Sequence, residues 1–307
     1  MTRTAEVSQK KAPILPLKLR LMRTGFALYG AVLPVQAGAM AEKMFRRTTR
    51  RTRPLDEQAI LLNAAPMTLD FDGLALAGYE WRPVRNELDL PPVLLMHGWD
   101  SRASQLAPIV KTLVSAGHRV IAFDAPGHGD SPAAHVTVST FADLVLTADR
   151  DFGPFHAVLG HSVGGAAVVL ASARGLRTRR IITLAAPASL RRASKRVAAF
   201  IGLPPRATEA MLQAAAKSNG RSLDALESTG LTLPSGVSAL LLHDPRDVQV
   251  PASESSIVAA AWPNAHLHHI AGVGHNGILA AESVQRLLLE FIATPVRHAQ
   301  QEFALAS

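Results

Sequence analysis

The stretch HAVLGHSVGG, residues 156–165, decides the fold of this chain. Its first residues are apolar and predict a short buried strand, and the small residues at 165–173 predict a helix packed close to a sheet. The centre fits the pattern Gly-x-Ser-x-Gly, in which a sharp turn from strand to helix exposes a serine. Glycines two positions before and after Ser162 remove side chains that would collide in such a turn. The stretch therefore predicts an exposed, strained Ser162, and a Gly-rich helix N-terminus is the alternative interpretation.

A serine hydroxyl is a weak nucleophile at neutral pH and needs an adjacent base. With this turn, the base and its carboxylate are expected later in the chain, in the order Ser, Asp or Glu, His. The strand predicted at 238–244 runs into a loop that holds Asp247, and the Gly-rich loop 271–277 presents His275. We expect His275 to take the serine proton and Asp247 to orient the imidazole. Asp244 competes for the carboxylate role, but its place at the strand end favours hydrogen bonds to the loop backbone.

Backbone donors for a developing oxyanion are expected near this serine, because acyl transfer needs preorganised N–H groups, usually a pair. One is the N–H of Val163, directly after the serine. The other is the N–H of Trp99, in the turn after the apolar strand predicted at 92–96. The Trp99 indole either forms a wall of an acyl pocket or packs over the turn. His97 is interpreted as a structural hydrogen-bonding residue.

Five stretches carry a resemblance to a known family: MHGW at 96–99, FDAPGHGDS at 123–131, LGHSVGG at 159–165, DVQVP at 247–251 and GH at 274–275. In this order and spacing the chain resembles the α/β-hydrolase superfamily over roughly residues 67–293. The resemblance implies an α/β fold with a doubly wound, mostly parallel sheet and a small helical cap. It also implies a serine esterase or lipase-like activity, although one scaffold hosts many chemistries. Asp124 and His128 in the second stretch are interpreted as structural.

Strands and helices alternate along the chain, as a doubly wound sheet requires. Strands are predicted at 67–71, 74–81, 92–96, 119–123, 156–159, 180–184, 238–244 and 265–270, and helices at 101–116, 140–151 and 279–292. The first two strands are expected to form an antiparallel hairpin around an Asp-Gly turn.

The interval 188–236 breaks this alternation, because it contains helical segments without a clear strand. We expect it to form a cap, with helices near 208–217 and 222–227. Its apolar residues Phe200, Ile201 and Leu203 are expected to line the substrate pocket. Its basic residues either select an anion or form a solvated helix face; they are Arg191, Arg192, Lys195 and Arg196.

The predicted domain organisation has three parts. A basic N-terminal arm covers residues 1–60, the hydrolase core covers 61–187 and 237–307, and the cap covers 188–236. The 307 residues, 48% of them hydrophobic, can supply a sizeable core. The absence of cysteine excludes disulfides, thiolate catalysis and cysteine-based zinc sites.

The net charge of +8 is concentrated in the arm. Residues 1–53 contain 12 Lys and Arg but only 2 Asp and Glu, whereas the rest of the chain contains 20 and 22. No nucleic-acid-binding motif accompanies this charge, so we expect no nucleic-acid partner. Residues 24–41 lack charge but are interrupted by Pro34 and Gln36, which argues against a transmembrane span or a cleaved signal peptide.

The arm is instead expected to be amphipathic and helical. It would dock on its own domain, or residues 1–53 would lie on an anionic membrane surface. We therefore expect a cytoplasmic protein, with peripheral association at the inner face of the membrane as the alternative. The sequence leaves the oligomeric state open.

The leading functional interpretation is a serine hydrolase that cleaves a small-molecule carboxylic ester through an acyl-enzyme. The alternatives are a membrane-surface lipase, a thioesterase or lactonase, and a noncatalytic binding protein on the same fold. His266, His268 and His269 cluster in a predicted strand without a well-spaced carboxylate. We therefore expect no metal and no cofactor.

Overall fold

The computed structural model describes residues 16–50, 52–84 and 90–294. Its strands are β1 Ala65–Phe71, β2 Leu74–Trp81, β3 Val93–Met96, β4 Val120–Phe123, β5 Ala157–His161, β6 Arg180–Leu184, β7 Ser238–His243 and β8 Ala265–His269. They form one eight-stranded sheet in the order β1-β2-β4-β3-β5-β6-β7-β8. The pairs β1–β2 and β2–β4 are antiparallel, and the remaining neighbours are parallel.

Helices cover both faces of this sheet, which explains why its central strands are apolar throughout. Every residue of β3, β4 and β5 is buried. The helices are α1 Leu17–Val32, α2 Pro34–Phe45, α3 Leu55–Leu62, α4 Ala107–Ser115, α5 Val138–Phe152, α6 Val163–Ser172, α7 Leu190–Ile201, α8 Pro205–Ser218, α9 Ser253–Ala261, α10 Gly274–Gly277 and α11 Glu282–Ala293. The predicted fold class, a doubly wound and mostly parallel sheet, is confirmed.

Some element boundaries differ from the sequence predictions. The helix predicted at 101–116 starts as the 3-10 turn Ala103–Leu106 and continues as α4, which has a proline in its first turn. The helix predicted at 222–227 is only the 3-10 turn Asp224–Leu226. Helix α3 was not expected; the Trp81 indole N–H donates to its Ile60 carbonyl over 2.8 Å and joins it to the sheet.

Between β6 and β7 the chain leaves the sheet and forms α7 and α8. The N-terminal helices α1 and α2 pack on these two helices through one shared hydrophobic cluster: Phe26, Ala37, Ala41, Ala198, Ile201, Leu203, Ala207 and Met211. Gly38 makes the close approach feasible, since a Cβ there would lie 2.6 Å from Ala207 O and from Met211 N. The arm thus docks on its own chain. In the described part of the chain, no helix combines the length and the apolar character needed to cross a bilayer.

Candidate active site

The serine turn lies between β5, which ends at His161, and α6, which begins at Val163. Ser162 has φ 53° and ψ −124°, a conformation that L-residues adopt only under strain. The two glycines of the motif are required by close contacts. A Cβ on Gly160 would lie 2.3 Å from Gly164 O, and one on Gly164 would lie 2.4 Å from His97 O. The local sequence therefore forces the sharp turn that presents Ser162.

The structure brings together the three residues predicted for catalysis: Ser162, His275 and Asp247. The Ser162 hydroxyl lies 3.0 Å from His275 Nε2, and His275 Nδ1 lies 2.6 Å from Asp247 Oδ2. The other carboxylate oxygen, Asp247 Oδ1, accepts from the backbone N–H groups of Gln249 at 2.8 Å and Val250 at 3.0 Å. Three separate loops at the carboxyl edge of the sheet supply these side chains, which is where ligands bind in open α/β sheets.

The electrostatics of Asp247 suit an orienting role. Burial opposes its ionisation, but hydrogen bonds from His243, His275 and the Val250 N–H outweigh it and hold its pKa well below the ordinary value. An ionised carboxylate at this position favours the tautomer of His275 with a proton on Nδ1. His275 Nε2 is then the acceptor for the Ser162 hydroxyl. Such an arrangement can activate a serine for nucleophilic attack.

Asp244, the competing carboxylate, serves the backbone. It accepts from the N–H groups of Arg246 at 2.8 Å and Gly274 at 2.6 Å. These two bonds, together with those from Gly272 and Val273, lower its pKa to about 2. Asp244 thus ties the loop that carries His275, while Asp247 contacts the imidazole itself.

The two predicted oxyanion donors have free N–H groups. Val163 occupies the first turn of α6, where backbone N–H groups have no intrahelical partner. Within the described residues, neither the Val163 nor the Trp99 N–H donates to a backbone or side-chain acceptor. The turn before Trp99 also lies close to the serine, because a Cβ on Gly98 would stand 3.1 Å from Ser162 Cβ.

Other polar residues near the turn are structural. His97 donates from Nδ1 to Gly98 O over 2.7 Å and accepts from the Ala125 N–H at Nε2 over 3.0 Å. Burial holds the pKa of His97 well below its ordinary value, so the ring is neutral. Asp124 accepts from the backbone N–H groups of Ala103 and Asp130. His128 accepts from the Asp100 N–H over 3.3 Å.

Sequence reasoning missed two histidines that hold this site. His161 donates from Nε2 to the backbone oxygen of His275 over 2.9 Å. Burial, together with the electrostatic effect of the neighbouring His275 imidazole, lowers the pKa of His161 to about 4. His243 donates from Nε2 to Val250 O over 2.8 Å, and the same nitrogen lies 3.5 Å from Asp247 Oδ2. Both terminate buried strands, but such positions also suit ordinary core histidines, so no sequence signal separates them.

A cavity of about 60 Å³ opens beside Val163 and Trp99. The N-terminal arm supplies Glu42, Phe45 and Arg46 to its wall. Phe45 stacks on Trp99 with a ring-centroid distance of 6.0 Å and parallel planes. Glu42 and Arg46 form an ion pair with each other. The Trp99 indole therefore lines the cavity, and the arm completes the wall, a contribution that no sequence pattern indicates.

Phe200, Ile201 and Leu203, which were expected in the substrate pocket, do not line this cavity. Phe200 is exposed, and Ile201 and Leu203 are buried against the arm instead of the cavity. Helices α1 and α2 cover the apolar face of this segment. Within residues 188–236, the cavity is lined by Ala188, Leu190, Ala193, Ser194, Met211, Ala215, Asn219 and Leu226.

Most of the basic face of α7 is paired with carboxylates. Arg192 and Arg196 bond to the buried carboxylate of Glu254 at 3.0 and 2.8 Å. Arg191 bonds to Asp224 at 2.8 Å. Burial opposes ionisation of Glu254, but the two guanidinium groups outweigh it and lower its pKa. These arginines fix α7 to α9 and to the 3-10 turn at Asp224–Leu226.

The described residues contain no group of three or more His, Asp or Glu side chains arranged to hold a metal ion. His266 and His268 line one surface groove together at β8.

A family model described as the Alpha/beta hydrolase family matches residues 93–287. The chain belongs to the alpha/beta hydrolase family. The matched segment runs from β3 into α11 and includes the serine turn, Asp247 and His275. Membership supports a hydrolytic activity.

Two curated relatives align over short segments of this alpha/beta hydrolase. The RutD protein of Variovorax paradoxus strain S110, named as a carbamate hydrolase, is 36% identical over 27% of this chain and 32% of its own. The non-heme chloroperoxidase of Streptomyces lividans is 37% identical over 34% of this chain and 37% of its own. The chain thus spans about a third of each of these relatives.

An esterase of Pyrococcus furiosus has a similar fold, with a TM-score of 0.60 and 18% identity. The superposition covers 80% of this chain and 98% of the esterase. At this identity, the likeness describes the fold alone.

Proposed function

We propose that the protein is a serine hydrolase that cleaves a carboxylic ester through an acyl-enzyme. The observation that carries the proposal is the position of His275, with Nε2 3.0 Å from Ser162 Oγ and Nδ1 2.6 Å from Asp247 Oδ2. Membership of a hydrolase family supports it.

In the acylation half-reaction, Ser162 Oγ attacks the ester carbonyl carbon while His275 Nε2 takes the hydroxyl proton. The carbonyl oxygen becomes an oxyanion, for which the free N–H groups of Val163 and Trp99 are the expected donors. The tetrahedral intermediate then breaks its bond to the alcohol oxygen. His275 gives that oxygen the proton, and the acyl group stays on Ser162.

Deacylation repeats these steps with water. His275 Nε2 removes a proton as the water oxygen attacks the acyl carbon, and the bond to Ser162 Oγ breaks as the proton returns to the serine. Asp247 stabilises the imidazolium in both halves, because its depressed pKa keeps it anionic. The products are a carboxylic acid and free enzyme.

The cavity beside Val163 is the proposed acyl site. Its volume of about 60 Å³ is several times the roughly 10–15 Å³ that a cavity needs to hold one water molecule. Apolar side chains dominate its wall, among them Phe45, Leu190 and Leu226. We therefore favour a short, apolar acyl chain. A thioester or lactone would use the same machinery, so it is tested beside the ester.

The test is hydrolysis of p-nitrophenyl esters of increasing acyl length by the wild type and Ser162→Ala. Ser172→Ala is the matched control, because Ser172 is a buried serine on α6 outside the cavity. We expect Ser162→Ala to lower kcat by about 10⁴-fold or more, and Ser172→Ala to retain it. Activity retained by Ser162→Ala would overturn the proposal. A wild type inert towards esters, thioesters and lactones would favour a noncatalytic binding protein.

A further inference from the structure

Helix α1 presents an apolar stripe to solvent. Leu17, Leu21, Leu28 and Val32 are between 64% and 77% exposed. Their spacings of four, seven and four residues place them on one helix face. The opposite face, including Phe26, packs on α7 and α8. Helix α1 is therefore apolar on both sides, although only one side is covered by the described chain.

More apolar side chains are exposed where α1 meets α2 and along α2. Leu33 and Val35 are exposed there, and Met40 is exposed further along α2. Large exposed apolar patches of this kind mark sites that contact another molecule or a membrane.

The charges around the stripe are cationic. Lys18 and Arg20 are exposed and, at 100° per residue, lie on opposite edges of the stripe. Lys43 and Arg47 are exposed at the end of α2. The one acidic residue of the arm between positions 16 and 50 is Glu42, which is buried and paired with Arg46. Within residues 16–50, the arm thus exposes apolar and cationic side chains and no acidic one.

This pattern favours a lipid surface over a second copy of the chain. A symmetric dimer would bring the same patch of both copies together and place the cationic rims against each other. A bilayer with anionic lipid can bind both the apolar stripe and the cationic residues. Its headgroups pair with the cations, and its acyl region buries the leucine side chains. The 16 residues of α1 span about 24 Å, less than the roughly 30 Å of a hydrocarbon core.

We propose that α1 and its junction with α2 lie flat in the interface of a bilayer that contains anionic lipid. The leucine stripe enters the acyl boundary, and Lys18 and Arg20 contact the headgroups. This surface is separate from Ser162, so the inference stands whether or not the ester is the substrate.

Co-sedimentation of the full chain with vesicles tests this inference. One set is phosphatidylcholine alone, and the other contains equal amounts of phosphatidylcholine and phosphatidylglycerol. We expect binding to the anionic vesicles. The double variant Leu21→Ser/Leu28→Ser should lower the partition coefficient by at least about tenfold. Lys18→Gln/Arg20→Gln should lower binding to anionic vesicles by about fivefold for each charge.

Leu62→Ser is the matched control, because Leu62 is 87% exposed but belongs to α3. It should bind like the wild type, and circular dichroism melting checks that every variant is folded. Equal binding of the wild type to both vesicle types, or binding unaffected by the leucine substitutions, would overturn the inference. Failure of the wild type to bind either vesicle type would overturn the inference. If the sedimentation coefficient then rises with protein concentration, and Leu21→Ser/Leu28→Ser removes that rise, the stripe contacts a second copy of the chain instead.

Discussion

Phe45→Ala is expected to lengthen the acyl chain that the enzyme accepts. The phenyl ring lines the cavity and stacks on Trp99 at 6.0 Å, so its removal opens the wall supplied by the arm. Each additional methylene buried in an apolar site contributes about 0.8 kcal/mol, which is about fourfold in kcat/KM. If the missing ring admits two more methylenes, kcat/KM for octanoyl relative to butanoyl esters should rise about fifteenfold.

The assay compares kcat/KM for p-nitrophenyl esters from acetyl to decanoyl in the wild type, Phe45→Ala and Phe200→Ala. Phe200 is the matched control, because it is 57% exposed and lies outside the cavity wall. Its variant should retain the wild-type chain-length profile. An unchanged profile for Phe45→Ala, or a shift of the profile in Phe200→Ala, would refute the assignment of the arm to the pocket wall.

Three further predictions concern the loops, the arm and pH. Asp247→Asn should lower kcat by about 10⁴-fold, since a neutral amide neither fixes the tautomer nor stabilises the imidazolium. Asp244→Asn should retain kcat and lower the melting temperature, so equal losses of kcat would contradict the two roles. Gly38→Ala should lower the free energy of unfolding in urea by about 1–3 kcal/mol through overpacking. At Gly25 an added Cβ meets nothing within 4 Å, so Gly25→Ala should raise the free energy of unfolding by about 0.5–1 kcal/mol. The same change in unfolding free energy for both variants would contradict the docking of α2 on α8. The pKa of His161 is about 4 in the folded protein against an ordinary 6.5, so the unfolded state binds the extra proton between these values. Stability should therefore fall as pH drops from 6.5 to 4, with about 3 kcal/mol due to His161. Over the same pH range, the free energy of unfolding of His161→Gln should fall by about 3 kcal/mol less than that of the wild type. Parallel curves of unfolding free energy against pH for the two proteins would contradict this contribution.

The sheet and the serine turn were predictable because their signals are local. Parallel strands that are buried on both faces are short apolar runs in the sequence. At the serine turn, the close backbone contacts of Gly160 and Gly164 exclude any residue with a side chain. Ser162, Asp247 and His275 follow β5, β7 and β8 along the chain. They meet because these strands are parallel and their carboxyl ends lie at one edge of the sheet. The choice between Asp247 and Asp244 rested on distance along the loop, and the structure places Asp247 against the imidazole.

The composition of the pocket was not predictable in the same way. A helical pattern shows which face of a segment is apolar, but it does not show what covers that face. The segment with Ile201 and Leu203 was assigned to the pocket, yet the arm covers it. Phe45 reaches the cavity from more than fifty residues upstream of Trp99, a contact that no local pattern indicates. The predicted division of the chain into arm, core and cap stays a prediction.

The histidines show a related difficulty. His161 and His243 end the buried strands β5 and β7, and His275 lies in α10 after β8. Imidazole serves equally as base or as structural donor. Only the partners separate them, because His275 faces Ser162 while His161 and His243 bond to backbone oxygens.

Covalent labelling with a fluorophosphonate, followed by peptide mass mapping, tests the central claim most directly. The reagent reacts with an activated serine hydroxyl and needs no knowledge of the natural substrate. We expect one adduct, on the peptide that contains Ser162, which Ser162→Ala loses and His275→Ala forms far more slowly. Folded wild-type protein that takes up no label, or takes it up on another serine, would contradict the account.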